Sequence, residues 1–123
     1  SIMKEMTINT IHWSKYLDET KNPRVKNFLK HRGDDVMWQV ALNVHKSGNG
    51  GKHDKDRLVM LIHENAPYAI NIPRDEYDTV LDLSLKYFEK KEDYEKCAEI
   101  VTFKKNIKNK PYSNKQKPLK NLI

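Results

Sequence analysis

Apolar positions along this chain fall into recognisable rhythms, and the clearest runs from Pro73 to Ile107. Tyr77, Val80, Leu81, Ser84, Leu85 and Phe88 are spaced three and four apart, as on one face of an α-helix. Asp75, Glu76 and Asp78 open this segment and Lys86, Lys90 and Lys91 close it, the order a helix dipole favours. Glu92 and Asp93 then restart the same polarity, with Lys104, Lys105 and Lys108 at the far end. In this second helix Tyr94, Cys97, Ala98 and Val101 form one face, which Ile100, Phe103 and Ile107 widen. The short polar joint from Lys90 to Asp93 predicts an antiparallel αα-hairpin. Its two wide apolar faces need more than each other for cover, so the hairpin is expected to pack on a sheet and to leave a stripe for a partner.

Strand rhythms precede it. Arg57-Leu58-Val59-Met60-Leu61-Ile62-His63 is a continuous apolar run of strand length, followed by turn residues Glu64 to Pro67 and then by Tyr68 to Ile72, which Pro73 stops. Together they predict a β-hairpin. Val36 to His45 fits two templates. Val36, Trp38, Val40, Leu42 and Val44 alternate as in a half-buried strand, while Val36, Met37, Val40, Ala41 and Val44 make a helical stripe with Gly48 as terminator. The strand is preferred for its three valines and tryptophan, giving a three-stranded antiparallel meander. Upstream, Ile11 to Glu19 reads as a short helix capped by Thr7 or Asn9, and Pro23 as the start of another, with Val25, Phe28 and Leu29 inward and Gly33 beyond its end. Trp13 and Phe28 read as core. The expected fold is α+β: a small antiparallel β-meander or hairpin packed against N-terminal helices and a C-terminal αα-hairpin, in one domain over residues 1–107.

Charge then separates body from tail. The net charge is +6, yet residues 104–123 hold seven lysines and no acid, which leaves residues 1–103 about neutral. Residues 108–123, with Pro111, Pro118 and repeated Lys and Asn, are expected to form a basic tail without autonomous structure. No apolar run reaches the roughly 18 residues of a membrane span, and the N-terminus lacks a signal-peptide pattern. One cysteine, Cys97, permits no internal disulfide. These features predict a cytoplasmic protein, in a host cytoplasm if a phage encodes it, and they leave the oligomeric state open.

No spacing matches a strong catalytic, cofactor or metal signature. The loop from Ser47 to Asp56 combines glycines with Lys52, but His53 stands where a P-loop needs Ser or Thr. His53-Asp54-Lys55-Asp56 offers ligands without a paired motif to complete a tetrahedral set, and His12, His31, His45 and His63 add none. Cys97 lies on a predicted buried face, where a thiol is inert. Glu89, Glu92, Asp93, Glu95 and Glu99 read as helix-surface charge. No enzymatic activity, cofactor or metal is expected.

Glu92-Asp93-Tyr94-Glu95-Lys96-Cys97-Ala98-Glu99-Ile100 resembles the centre of the UVR-type helical hairpin of excision-repair proteins and Clp-chaperone partners, with Val101-Thr102 where that family has Arg-Asp. The resemblance implies a protein-docking hairpin without catalytic residues. Gln116, Leu119, Leu122 and Ile123 resemble a glutamine-led peptide that docks on replication sliding clamps. The leading expectation is a small regulatory or adaptor protein that binds a larger protein of the transcription or replication machinery. Its docking residues would be Tyr87, Tyr94, Ile100, Phe103 and Ile107 with Gln116, Leu119, Leu122 and Ile123. Lys, Asn and Ile usage fits an AT-rich bacterium or a bacteriophage. The alternative is a DNA or RNA binder. Lys52, Lys55, Arg57, Lys104, Lys105, Lys108, Lys110, Lys115 and Lys117 would then contact phosphates, with Trp38 or Tyr112 stacking on bases.

Overall fold

The longest element is a helix that the sequence pattern divides in two. A computed structural model describes residues 9–18, 22–63 and 67–107. In chain order these form strand β1 (Asn9–His12), helix α1 (Trp13–Asp18), helix α2 (Pro23–Gly48), strand β2 (Arg57–His63) and strand β3 (Pro67–Pro73). A 3₁₀ turn (Arg74–Glu76) leads into helices α3 (Tyr77–Lys90) and α4 (Tyr94–Asn106). The fold is α+β, with a three-stranded sheet on one side and the α3–α4 hairpin as its C-terminal part.

Helix α2 starts as Pro23 predicts: proline takes the first helical position, and the Asn22 side chain accepts the Arg24 N–H at 2.9 Å. It does not stop at Gly33. Val25, Phe28, Val36, Met37, Val40, Ala41 and Val44 are all buried along one continuous stripe, so Val36 to His45 is helix and the preferred strand reading is corrected. Gly33 lies on that stripe as a notch. A Cβ there would strike the Tyr87 hydroxyl of α3, so glycine is what lets α3 approach α2. Gly48 does the same at the far end, where a Cβ would come within 2.8 Å of the Tyr77 and Ile107 side chains. Between them the small Ser84 is fully buried, its hydroxyl donating to the Met37 carbonyl at 3.4 Å.

The sheet order is β1-β3-β2. β2 and β3 form the expected antiparallel hairpin, from Arg57 opposite Pro73 to His63 opposite Pro67. The third strand is β1, pairing parallel to β3 with Ile11 opposite Ile70. The meander is therefore replaced by a mixed sheet, and the predicted helix at Ile11 begins two residues later, at Trp13. Leu58, Ile62, Ile70 and Ile72 point from one sheet face into the core, where Trp13, Phe28, Val40, Leu81, Phe88 and Ile100 join them. Among the described residues no helix covers the opposite face at Val59 and Leu61, which are 59% and 53% exposed.

The hairpin joint turns at Glu92, whose φ of 59° lies in the left-handed region. The Asp93 N–H donates to the Phe88 carbonyl at 3.0 Å, and the Asp93 side chain accepts the Lys96 N–H at 3.2 Å, so one residue ends α3 and caps α4. Among the described residues no helix is long and apolar enough to cross a membrane.

Candidate functional site

Helix α4 has two apolar stripes, and α2 decides which is core. Cys97, Ile100, Phe103 and Ile107 are buried. Phe103 lies between Trp38 and His45 of α2, with ring centroids 5.8 and 4.4 Å away. Ile100, Phe103 and Ile107, expected to meet a partner, are thus core residues and unavailable to one. Tyr94, Ala98 and Val101 face outward instead, Tyr94 66% and Val101 40% exposed. Their spacing of four and three places them along one line of the helix, with Glu95 and Glu99 exposed beside it.

Tyr87 is half-buried and committed to the fold. Its hydroxyl donates to Asp34 at 2.6 Å, and the Lys91 ammonium lies 3.5 Å from the same carboxylate and 5.5 Å from the Tyr87 ring centre. Burial pushes the phenol up, and the Asp34 hydrogen bond adds to the shift. The Asp34 carboxyl is held below its ordinary 3.8, chiefly by the Tyr87 hydroxyl. A depressed carboxylate favours the folded state above its unfolded value, and that contribution is lost as pH falls through the folded value. Tyr87→Phe is expected to move the Asp34 titration, read by carbon NMR, upward towards 3.8. An unmoved titration would assign the depression to Lys91.

The loop between α2 and β2 uses its own donors. The Gly50 N–H donates to Asp54 Oδ2 at 2.6 Å and the Gly51 N–H to Asn49 Oδ1 at 2.8 Å. Two of the backbone groups a phosphate would need are therefore occupied, one by a carboxylate that would repel it. Lys52, Lys55 and Arg57 are exposed, with the Arg57 guanidinium donating to Asn71 at 2.6 Å. Lys104 is drawn inward to Asp82 and lies 3.6 Å from Asp78, and Asp82 raises its ammonium pKa. Lys105 is exposed. Trp38 is half-buried, edge-on to Phe88 with Lys96 5.6 Å over its ring, so its indole is packed rather than offered to a base. Lys108, Lys110, Tyr112, Lys115, Gln116, Lys117, Leu119, Leu122 and Ile123 lie outside the described residues.

The remaining chemistry is dispersed. A cleft of about 400 Å³ is lined by His45, Asn49, Gly50, Gly51 and Asn106, of which only His45 titrates, and burial lowers its pKa. General acid–base work needs a poised partner within reach, and none of the lining side chains supplies one. Cys97 is buried and its thiol pushed up by burial. Among the described residues no group of three or more His, Cys, Asp or Glu could hold a metal ion.

The surfaces that stand out are therefore the outer stripe of α4 and the open face and edge of β2. The β2 surface was not singled out from the sequence, although the signal is present: the five residues Leu58 to Ile62 are apolar at both alternate sets of positions, which implies cover on both faces. No family model, curated protein or solved structure matches the chain.

Proposed function

We propose that this chain is a small non-catalytic adaptor that docks on a larger protein through the outer stripe of α4. The observation that carries the reading is the exposed line Tyr94–Ala98–Val101, set on a helix whose opposite stripe is locked in the core. Anchors at i, i+4 and i+7 suit a helix laid in an apolar groove. Glu95 and Glu99 beside the line call for a groove with a basic rim. A component of the transcription or replication machinery is the partner class, met in the cytoplasm.

The test compares wild type with a Tyr94→Asp/Val101→Asp variant in pull-downs from nuclease-treated lysate. Both positions are exposed, so thermal unfolding should be unchanged within about 0.5 kcal/mol per site. The wild type should retain a stoichiometric protein partner that the variant binds at least about tenfold more weakly, a loss of about 1.4 kcal/mol. Capture that disappears with nuclease would transfer the function to nucleic-acid binding, and capture unaffected by the substitutions would remove α4 from the interface.

A further inference from the structure

We infer that β2 is the joint of a twofold homodimer, in which two copies pair their β2 strands antiparallel about Met60 and continue the sheet from one chain into the next. The inference concerns a surface separate from the α4 stripe and stands or falls independently of docking there.

Three observations meet at this strand. Its outward-facing Val59 and Leu61 are 59% and 53% exposed, although its inward residues Leu58 and Ile62 are core. Such a strand reads as one built for cover on both faces, and the described residues of this chain cover one. The sheet order β1-β3-β2 also leaves one edge of β2 without a strand among the described residues. The strand itself carries few guards: from Leu58 to Ile62 there is no proline and no charge, and the pairing with β3 runs without a bulge from Arg57 to His63. The strand is, finally, self-complementary. With a twofold axis at Met60, Leu58 falls opposite Ile62 of the partner copy and Val59 opposite Leu61, so the four exposed side chains form one apolar row across the joint.

The flank of the strand agrees with a second copy as occupant. A cleft of about 180 Å³ runs between α2 and β2, with Arg32, Asp35 and Gln39 on one wall and Met60 and Ile62 on the other. Arg32 and Asp35 lie 3.4 Å apart and carry opposite charges, so the cleft meets its own twofold image without net repulsion. A dimer joined this way displays two α4 stripes, and two linked sites raise avidity without any new contact to the partner.

The experiment measures the mass of the full chain by sedimentation equilibrium from micromolar to hundreds of micromolar concentrations. The wild type should approach the mass of two 14.5 kDa chains. In Val59→Lys/Leu61→Lys, lysines oppose lysines across the axis, and the dissociation constant should rise at least about tenfold. Val59→Glu/Leu61→Glu should dissociate likewise, and mixing the two variants should restore a one-to-one dimer. All four substitutions fall at exposed positions, so each variant should keep the wild-type circular dichroism. A wild type of 14.5 kDa at every concentration would overturn the inference, as would a lysine variant that still dimerises or a mixture that fails to re-pair. Deletion of residues 108–123 that turns a monomer into a dimer would assign the edge to the tail instead.

Discussion

Ile100→Ala is expected to cost about 2–5 kcal/mol of unfolding free energy, whereas Val101→Ala, one residue further on, should change it by no more than about 0.5 kcal/mol. Both replace a β-branched side chain in the middle of the same helix, so propensity alone predicts a small gain for each. Burial separates them. Ile100 is fully buried in the hydrophobic core, where the truncated methyl groups leave a cavity that close-packed neighbours cannot fill. Val101 is 40% exposed on the outer stripe. Urea unfolding with a common slope would read the difference directly. Equal effects would mean that both stripes are packed and that α4 has no surface left to dock with.

That pair of residues also shows what the sequence could and could not reveal. The α3–α4 hairpin was legible because three local signals agreed: the three-and-four spacing, acids at each start with lysines at each end, and a polar joint of the right length. Which side of α4 faces inward was not legible, since apolar residues occupy both Tyr94–Ala98–Val101 and Cys97–Ile100–Ile107. The decision comes from Trp38 and His45 of α2, which receive Phe103 from more than fifty residues away in sequence. Helix α2 failed for the same reason. Gly33 resembles a helix end by composition, but it lies inside the helix and makes room for Tyr87, a residue no local window includes. Strand β1 is four residues with one large apolar side chain, Ile11, and it exists because β3 offers a parallel edge some sixty positions downstream. On the candidate site, the continuous apolar run of β2 is legible as a strand, but its outward half points to a second cover that the described residues do not supply.

The stability of the segment leading into β2 rests on a polar group rather than on apolar packing, so Arg74→Met is expected to destabilise the protein by about 2–4 kcal/mol. The Arg74 side chain is only 10% exposed. It donates to the Ser47 and Lys55 carbonyls at 3.2 and 2.8 Å, to Asp56 at 3.1 Å and to the Asp54 carboxylate, and its guanidinium sits 5.5 Å from the Tyr77 ring centre. The backbone reinforces this, with the Arg74 N–H on the Asp56 carbonyl at 2.8 Å and the Tyr77 hydroxyl on the Lys55 carbonyl at 2.9 Å. Methionine preserves much of the side-chain volume but removes every side-chain donor, leaving the Ser47 carbonyl with the Lys55 N–H, the Lys55 carbonyl with the Tyr77 hydroxyl and the Asp54 carboxylate with the Gly50 N–H, each one partner fewer. Arg74→Lys should recover only part of the loss, because an ammonium cannot reproduce a planar fork that serves carbonyls on two sides of the loop. Salt divides the contributions further. The Asp56 carboxylate is 87% exposed and its attraction is screened, so raising salt should change little of the gap between wild type and variant if the carbonyl bonds dominate. A gap that closes at high salt would reassign the role of Arg74 to surface charge pairing, and the Ser47–Asp56 loop would then be anchored by the Tyr77 hydroxyl and the backbone bonds.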